Sequence, residues 1–455
     1  MASKTRSPQR FLRFMLMAIF LPFTNSFAEE VNLTLSPLAI TGRIFSDLYF
    51  PLRDLGQSKF QQISSSFWLQ ANPKFSESGS AHFTFTAMDL EASAISNNEG
   101  FTPSLREGYL DYSKAGWNIR TGKMIVPWGK SDGINPTDLL TAKNFTIFNP
   151  DEEVRRTGAV SILVSWTPSQ GDSPWTLSGI VTPVFPKSKL LLQSSAFPSQ
   201  INLSSSVSNP AANLSNSESA FKLSYAGQQW DFSWSAFSGW NHLPEFEVVS
   251  IQTLGASSNP EVSATIEQTF HRYRALGLDT SFTSGKWIFR GESAYVWTEN
   301  DDGTTPMIQP SHWDFVLGTE RSFWEDFRIQ AQSVFRFFPR YQAPTQAAGS
   351  NALQTGVFQQ VAALNALIQG YQDSFRPAAT LRLSYSNEFK GLAADAFIYM
   401  NFVGGDYLFR PSLDYFLTES FKLTVGVDYY GGPSNRPLGR LSEFNSLFLE
   451  AKYFF

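Results

Sequence analysis

From about residue 38 to the last residue, apolar and polar side chains trade places one position at a time. Phe421, Leu423, Val425, Val427 and Tyr429 share one face of a segment whose other face is Lys422, Thr424, Gly426 and Asp428. Residues 447–455 and 327–337 repeat the pattern, with Phe327, Ile329, Ala331, Ser333, Phe335 and Phe337 set against Arg328, Gln330, Gln332, Val334 and Arg336. A period of two is the signature of strands with one apolar and one polar face. About 18 such segments follow one another, including a long run at 265–282. The alternation falters at Ala87–Met88, at Lys123 and around Arg272–Arg274.

The connections sort themselves. Short turns such as 113–116, 284–285 and 418–420 alternate with long links at 129–156, 186–216, 241–264, 300–310, 339–376 and 432–442. Only the hairpin at Gly404-Gly405 breaks the scheme. Tight turns at one end and long loops at the other are the layout of a transmembrane antiparallel β-barrel. The expected fold is therefore all-β, a barrel of about 18 strands (16–20), with short periplasmic turns and long extracellular loops. A soluble sandwich has no reason to segregate its loops.

Composition agrees. The 42 Phe, 15 Tyr and 12 Trp make 15% of the chain, while 16% is charged and the mean hydropathy is −0.18. That is aromatic-rich and charge-poor yet polar on average, as expected for a greasy outside around a wet inside. A net charge of −5 offers nucleic acid nothing. With no cysteine, neither disulfides nor thiolate metal sites are available, and no cofactor is expected. Lys4, Arg6, Arg10 and Arg13 precede the apolar run 14–23, and Ser26-Phe27-Ala28 closes it. This is the pattern of a secretory signal peptide over residues 1–28, leaving 29–455 as one barrel domain. Export with no transmembrane helix points to the outer membrane of a Gram-negative cell, with its lipids as the barrel's surroundings.

About 18 strands enclose a lumen too wide for side chains to close, so inward charges stand in water. Arg120, Arg328, Arg336, Arg382 and Arg410 are the candidate pore-wall residues, the last four read as a basic stripe over four consecutive strands. The segment 120–156 is the most distinctive. It carries Trp128-Gly129-Lys130-Ser131-Asp132-Gly133-Ile134-Asn135-Pro136-Thr137-Asp138 and closes on Asp151-Glu152-Glu153 and Arg155-Arg156. Asp132, Asn135, Asp138, Asp151, Glu152 and Glu153 are the candidate constriction residues, with the last three expected to face the Arg328–Arg336–Arg382 wall. This pattern, W-G-x-x-D-x-x-N-P-x-D, resembles that of a group of porin-like bacterial outer-membrane proteins over roughly residues 104–160. The resemblance implies an outer-membrane location and a transport role, without naming a solute. In general porins the third long loop folds into the barrel, and this segment is the third by count. Phe455 at the end of an alternating strand likewise resembles the terminal residue that barrel assembly machinery recognises.

Segment 343–372 has no charged residue up to Gln372, and Val357, Val361, Leu364 and Ile368 fall at helical spacing, as in a lid, a plug, a partner surface or an ordered surface cap packed on neighbouring loops. Of the histidines His82, His242, His271 and His312, only His312 beside Asp314 hints at barrel-enzyme chemistry, and a solvated or interface histidine is the simpler reading. The sequence thus reads as a non-enzymatic outer-membrane channel for passive diffusion of small solutes, with a homo-oligomer possible. The rivals are a transporter of hydrophobic compounds, suggested by the uncharged loop and by Leu190-Leu191-Leu192, and a barrel adhesin or structural protein.

Overall fold

The computed structural model describes residues 40–54, 61–93, 99–147, 149, 151–190, 201–254, 261–324, 326–387 and 390–455. The predicted signal peptide, Leu191 and Leu192 lie outside the described residues.

Eighteen antiparallel strands form one sheet that closes on itself. They are β1 (Ile40–Pro51), β2 (Gln62–Ala71), β3 (Gly79–Ser93), β4 (Glu99–Lys114), β5 (Trp117–Met124) and β6 (Ala159–Trp166). Next come β7 (Trp175–Thr182), β8 (Glu218–Ala226), β9 (Trp230–Trp240), β10 (Arg272–Ser284), β11 (Trp287–Thr298) and β12 (His312–Phe323). The last six are β13 (Phe327–Phe337), β14 (Phe375–Asn387), β15 (Leu392–Asn401), β16 (Tyr407–Thr418), β17 (Phe421–Gly431) and β18 (Ser446–Phe454). Each pairs with its chain neighbours, and β1 pairs with β18 from Arg43↔Phe454 to Pro51↔Ser446. Closure leaves no edge strand, which a sheet surrounded by lipid requires. Gly42 and Phe455 exchange two backbone hydrogen bonds of 2.9 and 3.0 Å beyond this ladder. Gly42 has to be small, since a Cβ there would lie 2.4 Å from the Phe455 ring.

The faces are inverted relative to a soluble protein. Along β12, His312, Asp314 and Val316 are buried, while Trp313, Phe315 and Leu317 are exposed. Trp230, Trp234, Trp287, Trp297 and Tyr429 are exposed on other strands. Large apolar groups all around the outside and polar groups inside are stable only if the outside meets hydrocarbon. Among the described residues no helix is long and apolar enough to cross a membrane; the strands do the crossing.

The connections divide as their lengths imply. The end that carries the first residue of β1 and the last of β18 has turns such as Ala115-Gly116, both at positive φ, and Gly285-Lys286. The long connections after β5, β7, β9 and β13 start and finish at the other end.

Three irregularities in the pattern now have causes. In β4, Thr84 pairs with Glu107 but Phe85 with Leu105, so Arg106 is a bulged extra residue. A second shift between Met88 and Leu90 accounts for the break near Ala87–Met88. Lys123 sits in an unbroken ladder between β5 and β6, and its ammonium donates to the Leu105 carbonyl (2.6 Å) beside the bulge. The run 265–282 is not one strand. The chain leaves the barrel at the buried Phe270, and Glu261–Thr269 joins Glu245–Leu254 and Ile201–Val207 in a separate three-stranded sheet at the loop end. Arg272 and Arg274 then begin β10 at the rim, where Arg272 pairs with Trp240 and Arg274 with Trp297.

Segment 343–372 contains the helix α2 (Ala352–Gln369), capped by the Asn351 side chain and ended by Gly370 at φ 74°. Val357 and Val361, with Leu364 and Ile368, pack on Ile201, Phe246, Ala264 and Ile266 of the extra sheet. Asn365, fully buried, donates to the carbonyls of Phe246 (2.9 Å) and Met307 (2.8 Å) and accepts from the Phe246 amide (2.8 Å). The helix lies where the spacing placed it, seated on a platform that the loops themselves build, and its last residue accepts a hydrogen bond from Arg336 of the wall (3.0 Å).

Candidate pore constriction

Residues 125–158 leave β5 and cross the lumen before β6 begins. Their anchors lie on opposite walls. On one side, the Glu292 carboxylate of β11 accepts from the amides of Lys130, Ser131 (2.5 Å) and Thr137 (3.4 Å) and from the Thr137 hydroxyl (3.0 Å). The Lys130 ammonium is 3.7 Å from Asp279 of β10. Asp132 meets Arg290 of β11 (3.2 Å) and Gln330 of β13. On the other side, the Asn149 amide donates to Asp47 of β1 (3.3 Å) and Glu450 of β18 (3.4 Å). Arg43 of β1 pairs with Glu153 at 3.3 Å. The bulged Arg106 of β4 donates to the carbonyls of Arg156 and Glu153, both at 2.6 Å. In a ring of eighteen strands β11 stands nearly opposite the β1–β18 seam, so this segment spans the bore.

The distinctive motif builds the first half of that span. Trp128 is buried with Met124, Leu140 and Leu163. Gly129 takes φ +99°, and a Cβ there would overlap the Asn135 side chain. Asn135 donates to the Trp128 carbonyl (2.7 Å), folding the loop back so that three amides converge on Glu292. Asp138 accepts from Thr141 (2.7 Å) and lies 3.6 Å from Arg156. Burial pushes the Asp138 carboxyl up, with Thr141 opposing, and burial lowers the basic groups of Lys130 and Arg155.

The second half carries the short helix α1 (Glu152–Arg155). Asp151 caps it by accepting from the Glu153 amide (3.0 Å), and Glu152 pairs within the loop to Lys143 (2.5 Å). Asp151 and Glu153 face Arg43, with Arg106 beside them. Asp151 and Glu153 therefore stand against the β1–β4 wall, Glu152 is taken up by Lys143 of the loop itself, and none of the three pairs with Arg328, Arg336 or Arg382. Asp132 is the candidate that approaches β13. The order of strands decides this, since the loop runs away from β13 after its Glu292 anchor.

The wall arginines line the bore but are paired along the ladder. Arg120 meets Asp111 (2.5 Å), Arg328 meets Glu320 (3.3 Å), Arg336 meets Asp314 (2.6 Å), Arg382 meets Asp395 (2.7 Å) and Arg410 meets Asp428. Arg328 and Arg336 share β13, while Arg382 is on β14 and Arg410 on β16, so the expected stripe covers three strands and is neutralised pair by pair. His312 and Asp314 are similarly engaged. His312 Nδ1 donates to the Pro310 carbonyl (3.0 Å), and Asp314 takes the Arg336 guanidinium.

Sequence reasoning missed Arg106 as an inward residue, because a bulge reverses the parity on which facing was counted. Alternation turns Arg43 and Glu292 toward the bore, and nothing in it marks them as anchors. Arg43 and Arg106 sit over the Trp68 ring at 3.9 and 4.5 Å. The crossing segment has open space on both sides. A cavity of about 400 Å³ toward the loop end is lined by Asn135, Lys143, Arg336, Arg376 and Tyr399. Another, of about 640 Å³ toward the turn end, is lined by Arg43, Trp68, His82, Arg106 and Glu153.

The same architecture occurs in solved structures. The chain superposes on Acinetobacter baumannii OccAB4 with a TM-score of 0.51, over 91% of this chain and 97% of that one, at 8% sequence identity. The fold is shared. Acinetobacter baumannii OccAB2 gives a TM-score of 0.50 over 91% and 96% at 10% identity, and Pseudomonas aeruginosa OccK5 (OpdH) gives 0.48 over 91% and 96% at 11%. No family model matches the chain, and no curated protein matches it in sequence.

Proposed function

We propose that this protein is a porin-like channel of the Gram-negative outer membrane, through which small polar solutes diffuse passively. The observation that carries the reading is the segment 125–158, held by charged and amide groups to both walls of a barrel whose exterior is apolar. A bore lined by both signs of charge suits hydrated solutes. Asp132, Asp151, Glu152 and Glu153, with Arg43, Arg106 and Arg290, form the narrow zone. Asn135 and Asp138 shape the loop that presents them, and Arg120, Arg328, Arg336, Arg382 and Arg410 line the wall in ion pairs. The loop end faces outward and the turn end faces the periplasm, as in barrels of this type. The test is recording from purified protein in planar bilayers. Stable ohmic steps support the reading, and a silent membrane with correctly folded protein inserted refutes it.

A further inference from the structure

On the loop-end side of the crossing segment, two arginines stand side by side with only one carboxylate for the pair. Arg336 of β13 and Arg376 of β14 are direct cross-strand partners. Both guanidiniums reach the same spot beside Gly370, where an added Cβ would lie 2.8 Å from Arg376 Nη1 and 3.2 Å from Arg336 Nη1. Arg336 is satisfied. It donates to Asp314 through Nε (2.6 Å) and Nη2 (2.7 Å), and to the Gln369 carbonyl through Nη1 (3.0 Å). Arg376 lines the cavity of about 400 Å³ on this side, yet among the described residues it forms no ion pair and its guanidinium donates to no acceptor. The acids nearby are engaged elsewhere, Asp373 with Arg436 (3.1 Å) and Asp406 with the Leu438 amide (3.2 Å).

The other charged groups of that lining have partners. Lys143 pairs with Glu152 (2.5 Å), Asp138 lies 3.6 Å from Arg156, and His242 hydrogen-bonds Glu218 (3.0 Å). Arg376 is left over, beside a second guanidinium and in a bore whose wall screens charge less than open water does. Two adjacent cations repel each other, and an anion seated between them relieves the repulsion. A guanidinium offers its N–H groups as a planar fork that a carboxylate meets with both oxygens. Tyr399 of β15 lines the same cavity, and its hydroxyl, which makes no hydrogen bond among the described residues, is a further donor. The crossing segment contributes Ile134 and Leu139 as apolar lining. A space of this size suits a small molecule. We propose that Arg376, backed by Arg336 and joined by Tyr399, binds the carboxylate of a small, singly charged organic anion whose apolar body lies against Ile134 and Leu139. One uncompensated charge matches one carboxylate better than a dianionic phosphate. The assignment deepens the channel reading and rests on it, since the loop end is the solute's way in.

Binding is read without conduction. Full-length protein in detergent is titrated with sodium butyrate and observed by saturation-transfer NMR, with butylammonium chloride as the cation of equal size. We expect saturable transfer to butyrate, none to butylammonium, and little displacement of butyrate by equimolar inorganic phosphate. Arg376→Met should weaken butyrate binding at least tenfold. Arg376→Lys, which keeps the charge and loses the fork, should fall between, and Lys114→Gln at the turn end should bind as the wild type does. Heat-modifiable migration on gels checks that each variant is folded. Equal butyrate binding by wild type and folded Arg376→Met protein, no saturable binding at all, or equal transfer to butylammonium overturns the proposal. Full displacement by equimolar phosphate overturns the choice of a carboxylate. Butyrate bound by a barrel that is silent in planar bilayers would keep the site and refute the channel; ohmic steps without butyrate binding would do the reverse.

Discussion

Removing the Glu292 carboxylate should release one end of the segment that crosses the bore. Glu292→Ala deletes the acceptor of three close hydrogen bonds, from Lys130, Ser131 and the Thr137 hydroxyl, and of one longer bond from the Thr137 amide. A hydrogen bond to a charged group contributes about 1.5–3 kcal/mol. The freed donors regain water from the bore, so about 1 kcal/mol for each close bond, about 3 kcal/mol in all, is the better figure. That moves the balance between docked and released loop by roughly 100-fold. Asn149 and Arg106 still hold the far end, so the segment should swing and not leave. Single-channel recording should show higher conductance with added open-channel noise, and Glu292→Gln, which keeps one carbonyl oxygen, should fall between. Wild-type conductance and noise in a heat-modifiable Glu292→Ala barrel would refute the claim that this carboxylate holds the constriction.

Arg106→Met should loosen the opposite end, and combined with Glu292→Ala its effect on conductance noise should be nearly additive, because the two anchors are on far walls; strong non-additivity would mean one shared anchor. Neutralising Asp151, Glu152 and Glu153 together leaves Arg43 and Arg106 uncompensated and should shift the reversal potential in a salt gradient toward anions. Neutralising Arg328, Arg336 and Arg382 removes the arginine partners of Asp314 and Asp395 and leaves Glu320 with Arg290 alone, and should shift it toward cations; an unmoved potential in both variants would place these charges outside the conducting path. Asn365→Ala removes bonds to Phe246 and Met307, at about 1 kcal/mol each, and should speed proteolysis of the loop end without changing the barrel's heat resistance. Gly42→Leu would collide with the Phe455 ring across the β1–β18 seam, so outer-membrane yield should fall sharply, whereas Gly179→Ala, where nothing stands within 4 Å of an added Cβ and φ is not positive, should cost far less.

The barrel itself was legible in one dimension. Alternation with period two is a local property of a strand that faces two media, so Phe421–Gly431 and Phe327–Phe337 announce themselves. The sorting of short and long connections then fixes antiparallel closure. The helical spacing of Val357, Val361, Leu364 and Ile368 was equally local, and α2 lies where it pointed. What a residue faces across the bore is not local. Asp151 and Glu153 meet Arg43 and Arg106 instead of Arg328 because closure puts β1 and β4 beneath that part of the loop, over a hundred positions away for Arg43. Glu292 holds Lys130 across 162 positions, and no spacing rule connects them. Arg106 turned inward because one extra residue in β4 shifts parity, a choice made by pairing with β3. The platform under α2 joins strands from two loops, and only their packing shows that Glu261–Thr269 belongs to it and not to the wall. The sequence determines which faces are wet and which are greasy, since each side chain carries that preference alone. Tertiary structure decides which charges meet, since that depends on how eighteen strands close into a ring.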